Sequence, residues 1–316
     1  MLPALNRFFL SSLLLLLLLA HTAQATDTLA YYSDYFSFIG QDEKGYLLFA
    51  LASSRGVDDG EFQAEHFGVL YAQGEGWIDL VGTGAYLNPR GVLTRVPDST
   101  AFQFSGHPAS GVSIQSRVND LRLEINPLIT RLEDNSGERR QNWGNAAAVL
   151  YWQGRIVPGR VIYEGLTHHN WNRLSRSDAE DLDNLQGFYL ALQKDSPAAW
   201  RDLYLRTEGQ KKTLSSTGFL ATPNVQARIF SPNLEVTRKG WALGFYRWSK
   251  GWRMNLQQAA TSKGLDPPFA ALELKQISRK NVSNWVLGGF AMSVVEGSYK
   301  VNGEQLKVLG FAELIK

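Results

Sequence analysis

Hydrophobic and polar residues alternate with a period of two along nearly all of the chain from Tyr31 onward. Leu121, Leu123 and Ile125 alternate with Arg122, Glu124 and Asn126, and Leu272 and Leu274 alternate with Glu273 and Lys275. Val225, Ala227 and Ile229 alternate with Gln226 and Arg228 in the same way. Residues two apart on an extended chain share a face, so the pattern predicts strands with one buried face. Turn sequences separate them: Glu43-Lys44-Gly45, Gln73-Gly74-Glu75-Gly76, Gln153-Gly154 and Asn302-Gly303. Asn-Gly is the strongest of these, because both residues tolerate the positive φ of a two-residue hairpin turn. Helical periodicity is rare; Ser175 to Leu185 is the best candidate, with Ser177 or Asp178 available as N-cap.

That segment lies near the middle of the chain, and the strands on its two sides look alike. Each half begins with an aromatic strand, Tyr35-Phe36-Ser37-Phe38 and Gly187-Phe188-Tyr189-Leu190. Each half closes with a glycine-containing hairpin rising into a strand that carries one acid among apolar residues. These closing strands are Val161-Ile162-Tyr163-Glu164-Gly165 and Val308-Leu309-Gly310-Phe311-Ala312-Glu313-Leu314. The reading is all-β: two related antiparallel β-barrel or sandwich domains, 26–174 and 185–316, joined by a linker over 175–184. A single large sandwich is the alternative.

The first residues read differently. Arg7 precedes an apolar run from Phe8 to Ala20 that includes the leucines Leu13 to Leu19, and Ala23-Gln24-Ala25 supplies a small-x-small cleavage site. This is the pattern of a signal peptide over residues 1–25. The run is too short for a bilayer core, which needs about 20 residues. A periplasmic or secreted protein, with no integral span after cleavage behind Ala25, is expected.

Composition narrows the chemistry. The chain of 316 residues has no cysteine, which removes disulfides, thiolate metal sites and thiol nucleophiles. A formal charge of +2 gives no electrostatic reason to expect nucleic acid. No Gly-x-Ser-x-Gly elbow, Walker motif, dinucleotide fingerprint or His-Glu-x-x-His occurs, so no cofactor and no metal is expected. Asn281-Val282-Ser283 matches a glycosylation acceptor, a short pattern that matters only in a eukaryotic secretory route.

The two closing hairpins, together with Gly165-Leu166-Thr167-His168-His169-Asn170-Trp171, resemble the lipocalin-like family of carotenoid 1,2-hydratase and AttH-like secreted proteins. The resemblance implies two lipocalin-like β-domains packed together and a hydrophobic, isoprenoid-type ligand or substrate. His168 stands where the family often has an acid, and Asn172 where it has glycine.

Candidate site residues follow from both arguments. On an extended chain His168 and His169 point to opposite faces, and His169 shares a face with Trp171. This could be a proton donor against an aromatic wall, or a structural histidine at the domain junction. Glu65 shares a face with Phe67 and Val69, an apolar setting that would raise its pKa and suit a general acid, unless it sits in water at a strand end. His66 faces the other way. His107, before Pro108, reads as a turn residue. Trp248-Ser249-Lys250-Gly251-Trp252 reads as a hairpin tip carrying two aromatics, at a cavity mouth or against the other domain. Glu65, His169 and Glu164 are therefore the candidate catalytic residues. His66, His168, Trp171, Tyr163, Trp248 and Trp252 are candidates for ligand contact.

Three functions are compatible with these residues. The first is an exported protein that binds a hydrophobic small molecule. The second is a cofactor-independent hydratase or cyclase that protonates a double bond, with aromatic faces to stabilise the cation. The third is an envelope adaptor docking another protein.

Overall fold

The computed structural model describes residues 31–58, 61–81, 101–136, 139–168, 186–208, 215–222, 226–231, 234–242, 246–258, 270–285 and 288–315. The expected signal peptide over 1–25, the segment 175–184, His169 and Trp171 lie outside the described residues, and Glu65, His66, His168 and Trp248 are described by backbone alone.

Nineteen strands and one short 3-10 turn make up the described chain. The first sheet begins with β1 (Tyr31–Asp42), β2 (Gly45–Asp58), β3 (Glu61–Ala72), β4 (Gly76–Ile78) and β5 (Gln103–His107). It continues with β6 (Gly111–Ser116), β7 (Leu121–Ile125), β8 (Ile129–Ser136), β9 (Arg139–Trp152) and β10 (Arg155–His168). The second begins with β11 (Gln186–Gln193), β12 (Arg201–Glu208), β13 (Ser215–Ala221), β14 (Gln226–Ser231) and β15 (Leu234–Ala242). It ends with β16 (Tyr246–Gln258), β17 (Ala270–Trp285), β18 (Gly288–Val301) and β19 (Glu304–Ile315).

Every pairing is antiparallel, and both sheets follow one rule: the last strand returns to lie beside the first. The order is β4-β3-β2-β1-β10-β9-β7-β6-β5 in one sheet, with β8 added on β9. In the other it is β14-β13-β12-β11-β19-β18-β17-β16-β15. An additional β14–β16 pairing closes eight strands of the second sheet into an up-and-down barrel, with β15 outside the ring. The turns are those that the sequence announces. Asn302 and Gly303 have φ of 49° and 82°, and Gln153 and Gly154 have 47° and 75°, the left-handed pairs of tight hairpins.

Alternation holds on the outer strands, as in β7, where Leu121, Leu123 and Ile125 are buried and Arg122 is exposed. The central strands are different. Tyr35 to Gly40, Gly187 to Leu192 and Val308 to Ala312 are buried without a break. The reason is a three-layer arrangement. One set of side chains, including Phe36, Phe38, Phe49 and Leu123, fills the inside of the first sheet. Another, including Phe188, Leu190, Leu272 and Trp252, fills the inside of the second barrel. Between them Tyr35, Ile39, Trp143 and Ile162 of the first sheet pack on Tyr189, Tyr204, Phe219 and Phe311 of the second. A strand shared by two cores must be apolar on both faces. Full burial of each large apolar side chain contributes about 1.5–3 kcal/mol relative to exposure.

The expected hairpin tip at Trp248 to Trp252 is not formed; these residues run through β16 as continuous strand. Gly251 marks a bulge instead of a turn: Arg238 pairs with Gly251 and Lys239 with Ser249, so Lys250 is the extra residue. Trp252 is 1% exposed and sits edge-on to Phe188, with ring centroids 5.5 Å apart, inside the second barrel.

Candidate functional site

The layer between the two sheets contains a group of polar side chains that apolar packing alone does not require. It is built from the central strands, where the register fixes neighbours. On β10, Glu164 lies between Tyr35 of β1 and Trp143 of β9. Facing this row, Tyr189 of β11 lies between Tyr204 of β12 and Phe311 of β19. Glu313, two residues beyond Phe311, returns to the same face. Its neighbour on β11 is Gly187, where a Cβ would come within 3.3 Å of the Glu313 Oε2 atom, so the glycine leaves room for the carboxyl group.

The two carboxyl groups meet at one phenol. The Tyr189 hydroxyl is 2.9 Å from Glu164 Oε2 and 3.3 Å from Glu313 Oε2. The Tyr204 hydroxyl is 3.3 Å from the same Glu164 oxygen, and the other, Oε1, accepts from the Gln141 amide. Arg206 Nη1 donates to the Gln141 carbonyl oxygen at 3.0 Å. Because arginine only donates, this bond fixes the amide with its NH2 group toward Glu164. The Tyr35 ring lies 4.9 Å from that of Tyr189, and its buried hydroxyl finds no hydrogen-bond partner among the described residues.

Around Tyr189 two carboxyl groups stand near one arginine, Arg206. Burial, and then the Glu164 carboxylate opposite, push Glu313 up to about 7. Once Glu313 is ionised, a hydrogen bond from Tyr189 and the Arg206 charge act the other way without cancelling the rise. Burial also drives Tyr35, Tyr189 and Tyr204 well above the usual phenol value, so all three remain protonated donors. Glu164 and Glu313 lie in the layer between the sheets and keep some accessible area. A carboxyl group that holds its proton near neutrality beside an ionisable partner is the arrangement of a general acid.

Four residues away on the same face of β10, a second polar group pairs its carboxylate with cations. Arg160 grips Asp202 of β12, with Nε 3.1 and 3.0 Å from the two oxygens and Nη2 2.5 Å from Oδ2. Asn145 donates to Asp202 Oδ2 at 2.5 Å, Arg131 Nε donates to Asn145, and Arg131 Nη2 donates to the Thr222 carbonyl at 2.9 Å. This group ties the sheets together, as does Trp77, whose indole N–H donates to Ser278 Oγ at 2.8 Å.

The sequence candidates separate on this frame. Glu164 is at the centre of the carboxyl group cluster. Tyr163, its neighbour in sequence, points the opposite way, packs on Phe36 inside the first sheet and donates to Asp34 at 2.6 Å. Trp252 belongs to the barrel interior. Tyr163 and Trp252 therefore do not join Glu164. The backbones of Glu65 and His66 pair with Ser54 and Ser53 on β2, and that of His168 with Tyr31 on β1. Sequence reasoning did not single out Glu313, Tyr189, Tyr35, Tyr204, Gln141 or Arg206. A signal did exist for Glu313: both closing strands carry one glutamate among apolar residues, and the central position of those strands makes each glutamate an intrusion into a core.

A groove of about 750 Å³ lies elsewhere, between the turns at Gln41, Tyr46 and Gln73 and the outer surface of β16 to β19. It is lined in part by the ion pairs Arg253–Glu273 and Lys275–Glu296, and does not include the carboxyl group cluster. Among the described residues no group of His, Asp and Glu side chains is arranged to hold a metal ion, and no helix is long and apolar enough to cross a membrane.

No protein-family model and no curated protein matches the chain. Among solved structures it is similar to kievitone hydratase from Nectria haematococca, at 11% identity and a TM-score of 0.47, over 90% of this chain and 88% of that one. It is similar to an AttH-type protein from Nitrosomonas europaea at 11% identity and a TM-score of 0.47, over 92% and 94%. A third similarity is to CghA with Sch210972, at 10% identity and a TM-score of 0.47, over 92% and 89%.

Proposed function

We propose that the carboxyl cluster between the sheets takes up an uncharged, unsaturated small molecule and adds or removes a proton on it, as a cofactor-independent hydratase or cyclase does. The observation that carries this reading is the pair of carboxyl groups, Glu164 and Glu313, meeting at the Tyr189 hydroxyl. Glu313, protonated to about pH 7, is the acid. It gives its proton to a carbon of the double bond, water attacks the cation, and the proton released by that water goes to Glu164. The Tyr35 hydroxyl supplies a donor for an oxygen of the ligand. An anionic ligand would be repelled by the carboxyl pair, which favours a neutral one.

The test is incubation with a panel of neutral unsaturated compounds in water labelled with heavy oxygen, read by mass spectrometry. A hydrated product should carry the label, and Glu313→Gln should lower turnover by about 10²–10⁴-fold while the protein still folds. Full turnover in that variant would remove Glu313 as the acid. Export is part of the same proposal and rests on the leader; intact mass should show a mature chain starting at Thr26.

A further inference from the structure

The hydrogen-bond directions within this site have an order, and each direction is set by the chemistry of the group beside it. Arg206 fixes the Gln141 amide, so Gln141 donates to Glu164 Oε1. Tyr204 and Tyr189 both reach Glu164 Oε2. Glu164 is thus surrounded by donors, as a carboxylate is. A phenol carries a single hydrogen. Tyr189, closer to Glu164 at 2.9 Å than to Glu313 at 3.3 Å, directs that hydrogen to Glu164 and leaves its oxygen lone pairs toward Glu313. A carboxylic acid at Glu313 can then donate to the Tyr189 oxygen. The chain runs from the Glu313 hydroxyl to the Tyr189 hydroxyl to the Glu164 carboxylate.

We infer that Tyr189 is a proton relay that joins the two carboxyl groups and returns the acid to its starting state after each turnover. This rests on the proposed acid–base function of the carboxyl cluster. After hydration Glu313 has lost a proton and Glu164 has gained one from water. Glu164 then donates to the Tyr189 oxygen while Tyr189 donates its own hydrogen to Glu313. One O–H bond breaks and one forms at the phenol, the net proton moves from Glu164 to Glu313, and no charge leaves the pair. Bulk solvent is not needed for the reset. Tyr189 fits the role because it is 2% exposed and held between the rings of Tyr35 and Tyr204, at 4.9 and 5.2 Å. The titratable groups around Glu313 are Glu164 on β10, Tyr35 on β1, Tyr189 on β11, and Tyr204 and Arg206 on β12. Only Tyr189 bonds both carboxyl groups among the described residues. It acts through Glu313 and is a positioning residue rather than a catalytic one.

Infrared spectra of the whole protein, with side-chain carboxyl groups of glutamate labelled with ¹³C, test the relay without a substrate. The wild type should show a protonated carboxyl band that fades as pH rises through about 7. Glu313→Gln should abolish it, and Glu164→Gln should retain it. In Tyr189→Phe the band should remain but move to the higher frequency of a more weakly bonded acid. In the wild type, the ring carbon bearing the Tyr189 hydroxyl should shift in NMR with the same midpoint as the band, a readout that needs no variant. A band that survives Glu313→Gln, or stays unmoved in Tyr189→Phe, overturns the relay. So does a Tyr189 resonance that ignores the transition. Loss of the relay would leave the labelled-water experiment free to stand, and absence of turnover would leave these spectra unchanged, so the two failures are distinguishable.

Discussion

The layer between the sheets contains two polar clusters on the same faces of the same strands, and they treat charge in opposite ways. Around Asp202, a single carboxyl group meets Arg160 at two atoms and Asn145 at a third, with Arg131 held behind. Around Tyr189, two carboxyl groups meet, and one cation, Arg206, stands behind Gln141. Asp202 and Arg160 are buried, whereas Glu164 and Glu313 keep some accessible area, and the partners differ as well. Burial lifts Asp202 above the usual aspartate range, and its arginine and amide partners oppose the rise without cancelling it. In the other cluster the second-largest influence on Glu313 is a like charge that adds to the rise. Where cations face a buried carboxyl group the result is a tie between sheets. Where a second carboxyl group faces it, the like charge adds to the rise and the group holds a proton that it can give away.

Three experiments press on this contrast, and the largest effect should come from the Asp202 cluster. Asp202→Ala leaves Arg160 buried without its carboxylate, and stability should fall by about 3–5 kcal/mol in urea denaturation. A loss near zero would mean that the cluster does not hold the sheets together. The next effect concerns pH. Folded Glu313 keeps its proton to about pH 7, whereas its ordinary value, taken for the unfolded chain, is 4.5. Between those values the folded state binds the extra proton. The stability this group contributes is therefore complete below pH 4.5, declines as pH rises, and is gone above about 7. The total is about 3 kcal/mol. Glu313→Gln should flatten that window in denaturation measured from pH 4.5 to 8, and an unchanged slope would show that another group is responsible. The smallest effect tests the single cation. Arg206→Gln removes a positive charge that lowers Glu313, so the infrared midpoint should move up by less than about one unit. A downward move would reverse the electrostatic account.

Much of the architecture could be read from local pattern. The hairpin at Asn302-Gly303 follows from turn chemistry, and the alternation of β7 and β17 follows from strand geometry. Both halves were expected to begin and close with aromatic or acidic-apolar strands, and these are the strands paired side by side, β1 with β10 and β11 with β19. Gly251 shows where local reading fails. A glycine between two tryptophans suggests a turn, but its partner strand converts it into a bulge. Glu164 was reached as a candidate from the sequence of its strand, while Glu313, in the matching place of the second closing strand, was not. Nothing local to Glu313 says that Glu164 will face it.

By itself, the sequence determined that the chain is all-β, where its tightest turns fall, and that two stretches each place one acid in an apolar strand. Those properties depend on residues a few positions apart, through φ preferences and the two-residue period. Tertiary structure alone decided that the strands carrying Tyr35 and Tyr189 have a core on each face, and that Glu164 and Glu313 meet at one hydroxyl. That outcome depends on docking one sheet against another, which brings together residues about 150 positions apart that no local energy term connects.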